Sequence, residues 1–106
     1  MENIDVHSLK EWLDDDKKLL LLDVREEWEY EHCRIQGSIN IPLSVLHNNI
    51  GAIESGKDII LICHHGARSF SAGLLLQDSE IDSRLYNLDG GIDAWAEHID
   101  DKLPRY

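Results

Sequence analysis

Cysteine and proline are scarce in this chain, with two of each in 106 residues, and phenylalanine occurs once. Two cysteines cannot build the disulfide scaffold that holds small secreted domains together. No charged-then-apolar leader precedes the first helix-like segment, so a reducing cytoplasm is the expected compartment. Aliphatic runs are short as well. None exceeds the four residues of Leu19 to Leu22, against the roughly 20 needed to span a bilayer, and no membrane partner is expected. Positive charge is the third scarcity: 10 Lys and Arg face 21 Asp and Glu, a formal net charge of −11. That balance argues against nonspecific binding to nucleic acid or to anionic membrane, both of which need clustered cations. His7, His32, His47 and His98 are scattered without the spacing that closes a tetrahedral metal site, so they are read as surface residues and no metal is expected. No linker, repeat or low-complexity tract interrupts the chain, so residues 1–106 are read as a single domain with one modest core.

Against that background one stretch stands out. Ile59-Ile60-Leu61-Ile62 is uniformly aliphatic and mostly β-branched, which suits a strand covered on both faces as in a parallel sheet. It stops at Cys63 and runs into His64-His65-Gly66-Ala67-Arg68-Ser69. The spacing of Phe70, Ala72, Leu74, Leu75 and Leu76 then predicts a helix through Gln77, with Ser69 able to cap its start. In an open α/β sheet ligands collect beyond the carboxyl ends of the strands, where a helix N-terminus offers unpaired N–H groups. Cys63 falls at that position, and helix N-termini and neighbouring cations stabilise the thiolate, the nucleophilic form of cysteine. Gly66 can take the positive φ that lets successive N–H groups converge on one anion. Arg68 adds a guanidinium fork suited to an oxyanion, and His64 and His65 can add charge-assisted hydrogen bonds, although the sequence does not say which way either ring points. The candidate site is therefore Cys63 as nucleophile, with His64, His65, Gly66, Ala67, Arg68 and Ser69 as substrate-binding residues. The competing reading is a buried cysteine that merely ends a strand; Gly66, Arg68 and Ser69 following in step weigh against it.

The remaining segments alternate between strand and helix. Asn3-Ile4 reads as a short edge strand, and Asp5 or Ser8 can cap a helix with Val6, Leu9, Trp12 and Leu13 on one face. Leu19 to Val24 reads as a central strand, followed by an acidic turn or short helix over Arg25 to His32. A three-residue strand closes at Pro42, and Leu43, Val45, Leu46 and Ile50 suggest a helix ending near Gly51. Arg84 to Leu88 is the last predicted strand. Gly90-Gly91 then turn into a helix carrying Ile92, Trp95, Ala96 and Ile99. The alternation predicts an α/β fold, a small doubly wound parallel sheet with helices on both faces. Asp23 and Arg25 lie just past a strand end, where an ion pair fixing the loops is the expected role. Trp28 and Trp95 are expected as core or rim aromatics.

Cys63-His64-His65-Gly66-Ala67-Arg68-Ser69 resembles the active-site loop of the rhodaneses, the thiosulfate sulfurtransferases, especially the single-domain bacterial kind. Leu22-Asp23-Val24-Arg25-Glu26 through Ile35-Gln36-Gly37-Ser38-Ile39-Asn40-Ile41-Pro42 resembles that family's amino-terminal signature, and Leu88-Asp89-Gly90-Gly91-Ile92-Asp93-Ala94-Trp95 its carboxy-terminal one. The likeness covers nearly the whole chain. It departs at Cys33-Arg34, where the family often has Gly-His, and this leaves the role of Cys33 open. The resemblance implies sulfane-sulfur transfer by double displacement through a Cys63 persulfide, with no metal or organic cofactor. The implied partners are a small anionic sulfur donor, thiosulfate or else a persulfide, and a thiol or cyanide acceptor, protein thiols included. Three alternatives share the fold: a protein-to-protein persulfide carrier, a non-catalytic rhodanese-like binding module, against which Cys63 speaks, and a phosphatase or arsenate reductase. A phosphatase or arsenate reductase loop places five residues between cysteine and arginine. Here Cys63 and Arg68 enclose four, too tight a ring for a tetrahedral phosphate.

Overall fold

The computed structural model describes residues 1–53 and 56–106. In chain order the elements are β1 (Glu2–Ile4), α1 (Val6–Asp14), β2 (Leu19–Asp23), α2 (Glu27–His32), β3 (Ile39–Asn40), α3 (Leu43–Leu46), a 3-10 turn at Ile50–Ala52, β4 (Asp58–Ile62), α4 (Ala67–Gln77), β5 (Leu85–Leu88) and α5 (Gly91–His98). The strands form one sheet in the order β1-β5-β4-β2-β3, and every pairing is parallel. β4 is thus central, flanked by β2 and β5.

Side chains alternate across a strand, and β4 uses that period to serve two cores. Ile60 and Ile62 face a cluster with Leu9 of α1 and Ile92 and Trp95 of α5, whereas Ile59, Leu61 and Cys63 face Leu46 of α3 and Ala72 and Leu76 of α4. Helices therefore cover both faces, as the alternation predicts. Asp5 rather than Ser8 caps α1, its carboxylate accepting from the Ser8 N–H at 2.7 Å.

Local details differ from the sequence expectation. The predicted helix ending near Gly51 divides into α3 and the 3-10 turn, and the strand before Pro42 has two residues. α4 starts two residues before Ser69 because Gly66, at φ +117°, supplies the left-handed turn that opens it. Its buried face is Ser69, Ala72, Gly73 and Leu76, which leaves Phe70 and Leu74 close to half exposed. Trp95 is in the core, whereas Trp28 is 62% exposed.

Candidate active site at the head of the central strand

Cys63 follows the last residue of β4, and its side chain is buried against the start of α4. The Gly66 N–H donates to Cys63 Sγ at 3.0 Å, and Ser69 Oγ lies 3.2 Å from the same sulfur. Ser69 is itself fully buried, bonded to the Gly66 carbonyl at 3.1 Å and to Asn87 Oδ1 of β5. Asn87 Nδ2 returns a bond to the Gly66 carbonyl at 3.2 Å. Two side chains thus pin the turn whose N–H meets the thiol.

The other flank of the loop is held by α5. The N–H groups of Ile92 and Asp93 donate to the carbonyls of Cys63 and His64 at 2.9 and 3.1 Å. Gly91, at φ +60°, makes this approach possible, since a Cβ there would strike both carbonyl oxygens. The loop carbonyls are thereby turned toward α5, and the Gly66 N–H toward Sγ.

Arg68 reaches from α4 to Glu29 of α2 in a bidentate pair, Nη1 to Oε1 at 2.6 Å and Nη2 to Oε2 at 2.9 Å. Glu29 is 4% exposed. Its Oε1 also accepts from the Glu26 N–H at 3.0 Å, and its Oε2 from the Tyr106 hydroxyl at 2.8 Å. The Arg68 bond is the main reason its carboxyl is held down at about 2, with the Tyr106 bond helping against the opposing effect of burial. Tyr106 in turn accepts from Arg25 Nη1 at 2.8 Å. Arg25 is wholly buried and forks onto Asp23, with Nη2 to Oδ2 at 2.6 Å and Nε to Oδ1 at 2.9 Å. Burial alone would push its guanidinium down; the Asp23 and Tyr106 bonds outweigh that and keep it charged. The ion pair expected of Asp23 and Arg25 is present, and Arg25 also binds the carbonyls of Glu29 and Cys33.

His64 lies between two rings, 4.0 Å from Tyr106 at 5° and 4.0 Å from His65 at 28°. Its Nε2 is buried without a hydrogen-bond partner. Burial, then the His65 charge, push its pKa below the usual imidazole value, which disfavours the charged ring. His65 is exposed, with Nδ1 3.8 Å from Asp93 Oδ2. Ala67 occupies the first position of α4 and is exposed.

Three members of this site were not singled out from the sequence. Asn87 had a signal: it is the one polar residue within a buried apolar strand. Glu29 is one acid among several from Glu26 to Glu31; it shares the first turn of α2 with Glu27 and is set apart by its place opposite Glu26 in a capping box. Tyr106 carries no local pattern that marks it. Among the described residues no cluster of His, Cys, Asp and Glu could hold a metal ion, and no helix is long and apolar enough to cross a membrane.

Five parallel strands with a cysteine at the head of the middle one, its sulfur meeting the N–H that opens a helix, define a class of α/β domains with a cysteine loop at the carboxyl end of the central strand. Within that class the chain belongs to the rhodanese-like domain family, whose pattern it matches over residues 5–98. It is 33% identical over 98 residues to a sulfurtransferase from Allochromatium vinosum, covering 92% of this chain and 91% of that one. It is 35% identical over 124 aligned positions to the adenylyltransferase and sulfurtransferase MOCS3 of Xenopus laevis, where the match takes in 99% of this chain but 28% of that protein. Among solved structures, the rhodanese-like domain protein of Staphylococcus aureus superposes with a TM-score of 0.84 at 26% identity, over 100% of this chain and 99% of that one. These likenesses support sulfur transfer as the general function.

Proposed function

We propose that the chain transfers sulfane sulfur through a persulfide on Cys63. The observation that carries this reading is the 3.0 Å bond from the Gly66 N–H to Sγ at the start of α4, with the Ser69 hydroxyl 3.2 Å away. These donors stabilise negative charge on the sulfur before it attacks and on the persulfide after it forms. With thiosulfate, Sγ attacks the outer sulfur, the bond to the sulfonate sulfur breaks, and sulfite leaves with the electron pair. The product is Cys63–S–S⁻. A thiolate acceptor then attacks the terminal sulfur, becoming the new persulfide and restoring the Cys63 thiolate; cyanide would leave as thiocyanate by the same step. Sulfur is passed on with no external oxidant or reductant, and the two half-reactions give ping-pong kinetics.

In this reading Cys63 is the nucleophile, Gly66 and Ser69 hold its charge, and Arg68, His64, His65 and Ala67 form the mouth through which the donor approaches. Both cysteines are free thiols, which supports a reducing, cytoplasmic setting. The test is mass spectrometry after incubation with thiosulfate or cysteine persulfide. One added sulfur on Cys63, absent in Cys63→Ser, is expected, and transfer above a few per cent in Cys63→Ser would overturn the assignment.

A further inference from the structure

Three arginines are each committed to a carboxylate: Arg25 to Asp23, Arg68 to Glu29 and Arg105 to Asp93. Of these pairs only Arg68–Glu29 joins the cysteine loop to another element, for Arg68 lies on α4, close enough to feel the charge of Cys63. Glu29 holds the end of the Arg68 fork as an anionic substrate would. Its carboxylate accepts four hydrogen bonds, two from Arg68, one from the Glu26 N–H and one from the Tyr106 hydroxyl. The resident carboxylate is thus tied to α2 and to the Tyr106 ring, and cannot leave Arg68 without giving up the other bonds. Since it ionises near 2, it stays charged at any pH at which the protein would work.

We infer that Glu29 sets donor choice, holding Arg68 as a neutral pair so that the mouth disfavours dianionic thiosulfate and favours a persulfide carried on a thiol. This rests on the persulfide chemistry proposed above and adds the substrate class. Thiosulfate brings two negative charges, mostly on its sulfonate, and needs a cation free to meet them; Arg68 is already matched by Glu29, and the chain as a whole is at −11. A thiol persulfide, R–S–SH, brings its sulfur with one ionisable proton and no sulfonate. Cys63 Sγ attacks the terminal sulfur, the Sγ–S bond forms, the S–S bond of the donor persulfide breaks, and R–S⁻ leaves to be protonated by water. The terminal proton stays on the transferred sulfur until the persulfide ionises under the Gly66 N–H. A second reading of the same geometry makes Glu29 a brace that holds Arg68 ready for the sulfonate. The two readings predict opposite signs.

The experiment measures loading of Cys63 by thiosulfate and by cysteine persulfide in wild type, Glu29→Gln and Tyr106→Phe, with folding checked by circular dichroism. Wild type should have the higher kcat/KM for cysteine persulfide. In Glu29→Gln the ratio of thiosulfate to cysteine persulfide kcat/KM should rise tenfold or more. Tyr106→Phe removes one bond from Glu29 and keeps the ring, so it should move the ratio the same way by a smaller factor, and it decides the matter if the glutamine variant does not fold. A ratio that falls or does not change in the folded variants overturns the inference and leaves Cys63 loading intact. Failure of both donors to load wild-type Cys63 instead overturns the sulfur-transfer reading itself.

Discussion

The Ser69 hydroxyl has one proton and three acceptors around it: Cys63 Sγ, the Gly66 carbonyl and Asn87 Oδ1. When Cys63 is a thiolate it cannot donate, so a bond between the two is then made by the Ser69 hydroxyl donating to sulfur, in competition with the other two acceptors. Ser69→Ala removes it and also leaves Asn87 Oδ1 buried without its partner, so the rate of Cys63 loading should fall by about 1–2 kcal/mol, roughly 5- to 30-fold; single-turnover mass spectrometry measures this. Cys33 makes the opposite case. Arg25 bonds its carbonyl at 2.6 Å, a group that any residue supplies, whereas the sulfur makes only a 3.9 Å contact with Nη1. Cys33→Ser should therefore retain more than half of the transfer activity, and loss of most of it would give the thiol a chemical role. This explains why the departure from Gly-His was uninterpretable in the sequence: the backbone does the work there. Loop positions were legible because glycine, arginine and a cysteine after an apolar run have few uses in that order. Glu29 was not, because what separates it from Glu27 and Glu31 is burial.

At the scale of elements, the short helices depart furthest from expectation. Apolar periodicity located α4 but not its start, because Gly66 in the left-handed region opens the helix before Ser69 can. Phe70 and Leu74 contributed to that periodicity yet lie outside, while Gly73, with no side chain to signal it, is buried against Met1 and Leu61. β2 and β4 were the clearest segments, since burial on both faces demands an unbroken aliphatic run. The junction of α5 with the loop offers the sharpest test of an element's role. In Gly91→Ala the new Cβ meets the carbonyls of Cys63 and His64, and φ +60° adds strain for any L side chain. The variant should lose roughly 1–3 kcal/mol by urea denaturation and lose Cys63 loading as well, because the displaced carbonyls are part of the loop.

For the molecule as a whole, Glu29 links stability to pH. Its folded carboxyl ionises at about 2 against an ordinary 4.5. It binds protons less readily folded than unfolded, so its contribution is complete above pH 4.5 and is lost as pH falls toward 2. The size is on the order of 3 kcal/mol, and urea midpoints between pH 5 and pH 2.5 should fall more steeply in wild type than in Glu29→Gln. The charge of −11 acts at longer range. It repels an anionic donor before the mouth is reached, so kcat/KM for thiosulfate should rise as ionic strength goes from about 20 to about 200 mM, where the Debye length contracts to below roughly 10 Å. A fall would mean that a local cation governs approach.

The strand order also has a consequence in time. β1 pairs with β5, so Glu2, Asn3 and Ile4 meet Tyr86, Asn87 and Leu88, residues more than eighty positions further along. On a ribosome β1 emerges well before β5, the strand it pairs with, and waits while everything between them is made. β2 and β4 can pair long before that, with the β4 edge that β5 will cover still open. Residues 85–88 cover that edge, provide β1 with its partner and bring Asn87 to Ser69. The cysteine loop is thus finished only when the sheet is, and a nascent chain stalled before β5 would carry the thiol without its cradle.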